Sequence, residues 1–184
     1  TCLYSVTITS PYACPVEALP GPINPNIPTQ GSVTNGTWVY YTINVGPGDK
    51  EVQIKLDQDA STHGDPDVYM RRGLRPTKDD YDYKAVSSGK DELLVVRRND
   101  KQDPLVDGTF VIGIFAFGQK SVKYTVTVNK FACYGACSGH GVCTNGVCQC
   151  NEGYVVPILD DCSAQVKDIA MNKEGTFAFD GDDT

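Results

Sequence analysis

Histidine is scarce in this chain: His63 and His140 are its only two. His63 lies in the polar run Ser61-Thr62-His63-Gly64-Asp65. A Ser61/His63/Asp65 triad would require adjacent loop residues to place base against nucleophile while a third group orients the base, a geometry that neighbours in sequence rarely reach. There is no G-x-S-x-G elbow, no P-loop and no H-E-x-x-H pair. Without a nucleophile, base or metal set to gather in a cleft, a non-enzymatic role is expected. A run of 18 apolar residues is missing as well, so no membrane-spanning helix is expected. Positive charge is in deficit, with 16 Lys and Arg against 23 Asp and Glu and a net charge of −7. That balance argues against nucleic acid and anionic membrane surfaces as partners. No window of twelve residues has helical spacing.

What the first 131 residues do have is a period of two. Val39, Tyr41, Ile43 and Val45 alternate with Trp38, Tyr40, Thr42 and Asn44. Val52, Ile54 and Leu56 alternate with polar residues, and so do Val122, Tyr124, Val126 and Val128. This is the pattern of half-buried strands. Gly108 to Phe117 is apolar on both faces and reads as a central strand covered on both sides. Glu92 to Arg97, Asp67 to Arg71 and Leu3 to Thr9 are shorter candidates. Gly-Pro and Asp-Pro pairs punctuate the gaps. Seven or eight short strands imply an all-β, antiparallel two-sheet sandwich. Pro20, Pro22, Pro25 and Pro28 resist helix and ladder alike, so that segment is expected as an extended loop over the sandwich.

Cysteine is abundant and unevenly placed. Six of the 8 cysteines, Cys133, Cys137, Cys143, Cys148, Cys150 and Cys162, fall among turn residues with almost nothing apolar to bury. So small a segment needs covalent cross-links in place of a core. Such cross-links persist in oxidising compartments, so the chain is expected to be secreted or displayed on a cell surface. Zinc is a poor fit, because Cys148 and Cys150 are one residue apart and His140 has no second histidine beside it. Six cysteines allow 15 pairings. Cys2 and Cys14 make the count even and are expected to form a fourth bridge, worth about 2–3 kcal/mol by loop closure. Asn35-Gly36-Thr37 is an N-glycosylation sequon in a turn before a strand.

Two family resemblances rest on these residues. The segment from Cys133 to Cys162, with Gly139-His140-Gly141, Asn145-Gly146 and Glu152-Gly153-Tyr154 between the cysteines, resembles an EGF-like module of the tenascin type. The resemblance implies the pairs Cys133–Cys143, Cys137–Cys148 and Cys150–Cys162. The gap before Cys162 is longer than usual, and Asn129-Lys130-Phe131-Ala132 stands where calcium-binding EGF modules carry acids, so a structural module without calcium is implied. Asp65-Pro66-Asp67-Val68-Tyr69-Met70-Arg71-Arg72-Gly73, with Trp38-Val39-Tyr40-Tyr41-Thr42 upstream and Gly108-Thr109-Phe110-Val111-Ile112-Gly113-Ile114 downstream, resembles the pre-peptidase C-terminal (PPC-like) domain. That family is a jelly-roll-like sandwich similar in fold to bacterial collagen-binding modules, and it implies an accessory role without catalysis. The division expected is a sandwich over 1–131, an EGF-like module over 132–163 and a segment over 164–184 able to dock as a strand.

Four groups of residues remain as candidate sites. Asp57 and Asp59 close one strand, and Asp65 and Asp67 open the next; strand ends that meet could gather oxygens for Ca²⁺, while capping of loop N–H groups is the competing reading. No cofactor is expected, Ca²⁺ at these aspartates being the one exception the residues would allow. Arg71, Arg72, Arg75 and Lys78 form a basic loop that could meet a sulfated glycan or an acidic patch on another subunit, with pairing to Asp79 and Asp80 as the alternative. Tyr69, Tyr81 and Tyr83, where exposed, could stack on sugars, or could pack within the sandwich. Thr176-Phe177-Ala178-Phe179 is a β-prone run before acidic residues, expected to complete the edge of a neighbouring molecule if it is not a free end or packed on the EGF-like module. Together these lead to an extracellular structural or adhesive subunit of a fibre, appendage or matrix that self-associates or binds other extracellular proteins. The alternative is a carbohydrate- or collagen-binding module.

Overall fold

The computed structural model describes residues 18–88, 91–118, 121–156, 160–166, 169–171 and 177–179. Eight strands build the sandwich: β1 (Thr29–Val33), β2 (Trp38–Val45), β3 (Glu51–Gln58), β4 (Asp65–Arg72), β5 (Tyr83–Ala85), β6 (Asp91–Arg97), β7 (Gly108–Phe117) and β8 (Val122–Phe131). The sheet β1-β8-β3-β6 faces the sheet β2-β7-β4-β5, and every pairing is antiparallel. Only the β4–β5 connection stays within one sheet. Chain crossings at every other connection make this strand order a jelly roll.

The alternation read from sequence is what fills the space between the sheets. Val52, Ile54, Leu56, Val126 and Val128 meet Ile43, Ile112, Ile114, Val68 and Met70, all buried. Each such side chain contributes about 1.5–3 kcal/mol on burial. Tyr41 and Tyr124 join hydroxyls across the layers at 2.9 Å. The Tyr124 ring lies over Gly31, where a Cβ would come within 2.5 Å of it, so glycine is required in β1. β1 and β5 are the strands that the pattern missed. Leu3 to Thr9 and the Cys2–Cys14 bridge lie outside the described residues.

The proline segment covers an edge. Thr42 N–H donates to Gly21 O at 3.0 Å and Ile23 N–H to Thr42 O at 2.9 Å, while Ile23 enters the core. The free side of β2 is thereby closed to other strands.

The cysteine-rich module contains the disulfides Cys133–Cys143, Cys137–Cys148 and Cys150–Cys162, the pairing implied by the EGF-like resemblance. They place the chain in an oxidising compartment outside the cytosol. A 3-10 segment, Tyr134–Gly139, holds Gly135 to Ser138 at left-handed φ between 50° and 60°. Strands β9 (Gly141–Thr144) and β10 (Val147–Cys150) follow as a hairpin on Asn145-Gly146, whose φ values of 51° and 79° are those of the tight turn this dipeptide favours. A two-residue ladder joins β11 (Tyr154–Val155) to β12 (Ala164–Gln165). The last segment was expected to present Thr176 to Phe179 as a docking strand. Thr176 lies outside the described residues, and Phe177–Phe179 (β14) pairs with Ile169–Met171 (β13) as a small hairpin within the chain.

The two modules are joined by a buried acid. Glu51 alternates with core-facing Val52, so it lies on the outer side of its sheet, yet it is 0% exposed. Its Oε2 accepts hydrogen bonds from Arg97 Nε at 2.6 Å and from the Gly135 N–H of the cysteine-rich module at 3.1 Å, and Oε1 accepts from Gln53 Nε2. Beside it Lys50 pairs with Asp160 at 3.0 Å and lies 5.4 Å from the centre of the Tyr134 ring.

Candidate functional site

Two clusters on the β2-β7-β4-β5 sheet bring polar or aromatic chemistry together. The first is a group of carboxylates. Asp65 and Asp67 stand on alternate positions of β4, and Glu92 comes from β6 in the other sheet. β5 covers β4 only from Val68 to Met70, so the stretch of β4 carrying both aspartates is open at that edge. Each of the three acids offers an oxygen within 4.8 Å of the others. Asp67 is 5% exposed and Glu92 4%. Glu92 Oε1 accepts from Ser87 N–H at 2.8 Å and Ser87 Oγ at 2.5 Å. Asp65 Oδ1 is buried without a hydrogen-bond partner among the described residues.

Crowding of like charge in a dry place raises these acids. Burial, then the charges of Asp65 and Glu92, push Asp67 up to about 6. Burial followed by Glu92 raises Asp65. Tyr69 is pushed up to about 12, first by burial and then by the Asp67 charge. Carboxylates this close either share a proton or hold a cation.

The four aspartates weighed as calcium ligands or as loop caps do not gather at one site among the described residues. Asp57 pairs with Lys55 at 2.8 Å, and Asp59 caps the following turn by accepting from Ser61 N–H at 2.8 Å and Ser61 Oγ at 2.6 Å. Only Asp65 and Asp67 meet, and their third partner is Glu92. Asp57 and Asp59 are held elsewhere because short-range capping and pairing satisfy them within their own strand and loop. Nothing in the sequence pairs Glu92 with β4, since that contact depends on the sheet order. The sulfurs of Cys133, Cys137 and Cys148 also lie close together, but all three are consumed in disulfides.

The second cluster is aromatic. Trp38 packs on Tyr40, Tyr69 and Phe115 with ring centres 5.6, 5.2 and 4.9 Å apart, on the side of the sheet away from the core. The β4–β5 loop, residues 73–82, is laid across these rings. Tyr40 Oη donates to Pro76 O at 3.4 Å. A Cβ at Gly113 would sit 2.8 Å from Pro76 and 3.0 Å from Trp38, so the loop and the indole reach β7 only because that residue is glycine. Three cations stand over ring faces: Arg75 over Tyr40 at 5.0 Å, Lys78 over Phe115 at 4.9 Å and Lys84 over Tyr81 at 4.6 Å. This loop is why β7 is apolar on both faces. Tyr69, one of the tyrosines considered for sugar stacking, is buried here and unavailable for it. Tyr83 donates to Pro104 O at 2.9 Å. Of the basic loop, Arg71 pairs with Asp80 at 2.6 Å.

Asn35 is exposed at the β1–β2 turn, where Thr37 N–H and Oγ1 both donate to Thr34 O at 3.0 and 2.7 Å. Ser61 Oγ donates to Asp59, while His63 is exposed. No helix among the described residues is long and apolar enough to cross a membrane.

No family model matches the chain, and no curated protein matches it. Among solved structures it is similar to PliG of Aeromonas hydrophila, a periplasmic lysozyme inhibitor of g-type lysozyme. The TM-score is 0.40 at 12% identity, over 61% of this chain and 97% of that one. A likeness of that size carries no argument about family or activity, and the jelly-roll assignment rests on the strand order alone.

Proposed function

We propose that the chain is a non-enzymatic extracellular structural or adhesive protein, a subunit of a fibre, appendage or matrix. The observation that carries this reading is the buried Glu51 junction. A hinge between independent binding modules needs no desolvated acid, whereas a load-transmitting unit gains from one that fixes both modules in one orientation. The sandwich is read as PPC-like and the cysteine-rich part as an EGF-like module, supported by the jelly-roll order and the three bridges. Asn35 is the point of N-linked glycosylation. Light scattering with negative-stain imaging of the full chain under native, non-reducing conditions tests the assembly reading. Filaments or a ladder of oligomers are expected; a clean monomer across the concentration range would refute it.

The alternative, a carbohydrate- or collagen-binding module, draws support from the rings of Trp38 and Tyr40. These rings are stacked with planes 6° apart, while Arg75 stands over Tyr40 and the Tyr40 hydroxyl is held by Pro76 O. Specific capture by a glycan or collagen panel would favour this second reading.

A further inference from the structure

The edges of the sandwich are not alike. β2 is closed by the proline segment, β5 is 3 residues long, and β1 exposes no large apolar side chain. β6 is the remaining edge, 7 residues long, with Leu93 58% exposed on it. Its backbone groups alternate in direction. Arg98 N–H donates to Lys50 O at 2.9 Å, which continues the ladder that Val96, Leu94 and Glu92 make with β3. The residues between, Leu93, Val95 and Arg97, therefore turn N–H and C=O to the free side. Arg97 O is met there by Leu105 N–H at 2.9 Å. Among the described residues, no backbone group meets Leu93 or Val95 on that side. A cleft of about 290 Å³ opens alongside, between Leu94, Val95 and Val96 of β6 and Tyr83 and Lys84 of β5. An open ladder edge with an exposed apolar side chain is a template for another strand.

The side chains of β6 decide which strand fits. Glu92, Leu94 and Val96 are buried, so Asp91, Leu93, Val95 and Arg97 share the outer face. That face runs from an acid through two apolar residues to a cation. Laid antiparallel against its own copy, such a strand brings acid toward cation and apolar toward apolar. Leu105 stops the open ladder at Arg97, so the free stretch is Asp91 to Val95 and its midpoint is Leu93. With Leu93 of the two copies opposite each other, Asp91 of each faces Val95 of the other and lies diagonal to Arg97. Arg97 Nε is given to Glu51, and Asp91 Oδ1 accepts from Gln58 N–H, which leaves the other guanidinium nitrogens and the second carboxylate oxygen for that diagonal. Lys55, opposite Leu93 on β3, is paired with Asp57. The acids Asp100 and Asp103 lie past Arg97, outside the paired stretch.

We propose that β6 of one copy pairs antiparallel with β6 of a second, with Leu93 on the two-fold axis, so that two four-stranded sheets join into one of eight strands. The contact rests on the assembly reading above and supplies one of its interfaces. A strand paired with its own copy is isologous, so the dimer is the first step of any larger assembly built on it.

The test places charge on that axis in the full chain and reads association by sedimentation velocity, with circular dichroism as the control for folding. Leu93 stands outside the core, so Leu93→Lys and Leu93→Glu should both fold. Each sets like charges opposite one another and should weaken dimerisation about tenfold or more. An equimolar mixture of the two should restore it, each dimer holding one copy of either kind. Dimers that survive both substitutions would overturn this contact and leave the assembly reading standing. Loss in both variants that mixing does not restore would also overturn it and give the edge to a strand of another protein. A wild type that stays monomeric would overturn both this contact and the assembly reading.

Discussion

Asp67 is an acid buried beside two others, and its charge is what the surrounding structure accommodates least well. Its ordinary value of 3.8 applies to the unfolded chain, and in the fold it is held at about 6. The folded state therefore favours the protonated form. The stabilisation from that proton is fully present below about pH 4 and is lost as pH rises through about 6. Asp67→Asn keeps the shape and removes the titration. The variant should be more stable than the wild type by about 1–2 kcal/mol at pH 8, with the gap closing toward pH 4. Thermal melts across that range, run with a chelator so that protons and not cations are read, provide the check. A variant less stable at pH 8, or a gap independent of pH, would show that the triad does not hold Asp67 protonated. In the sequence Asp65 and Asp67 were visible as acids at the mouth of a strand, but Glu92 was not visible with them. Their meeting depends on the order of the strands in the two sheets, which no pattern of apolar residues marks.

At the scale of elements, the long alternating strands were legible because burial on one face writes a period of two into the chain. β2, β3 and β8 have the orientation their apolar residues dictate. β1 was not legible, since Gln30, Gly31 and Ser32 resemble a loop; the glycine is there to admit the Tyr124 ring. β5 was missed because three residues are too few to show any period. β7 was read correctly as covered on both faces, although what covers one face is a loop and not another layer. The β1–β2 turn makes a prediction of its own. It exposes Asn35 and ties Thr37 to Thr34, leaving the asparagine side chain clear of both sheets. Chain secreted from a eukaryotic host should lose mass on enzymatic removal of N-linked glycan, and Asn35→Gln chain from the same host should not. An Asn35 peptide found entirely unmodified would remove this site.

Across the whole molecule, the decisive link is between modules, and a single side chain dominates it. Glu51 reads in sequence as one more polar residue facing solvent from β3. In the fold it is sealed beneath the cysteine-rich module and holds Arg97, Gln53 and the Gly135 amide at once. Removing it strands three donors in a site that water does not easily reach. Glu51→Ala should cost about 2–3 kcal/mol, somewhat below a fully buried pair because Arg97 is half exposed and can turn to water. Lys50→Ala breaks only the more exposed pair with Asp160 and should cost under about 1 kcal/mol. The two variants also differ in shape. Without Glu51 the Gly135 amide should exchange faster and small-angle scattering should report a broader range of module orientations. The Val52 and Ile54 amides, within the sandwich, should keep their protection. Unchanged Gly135 exchange and unchanged scattering in Glu51→Ala would mean that the modules are fixed by the chain between Phe131 and Cys133 and its disulfide, and that the buried acid contributes stability without stiffness.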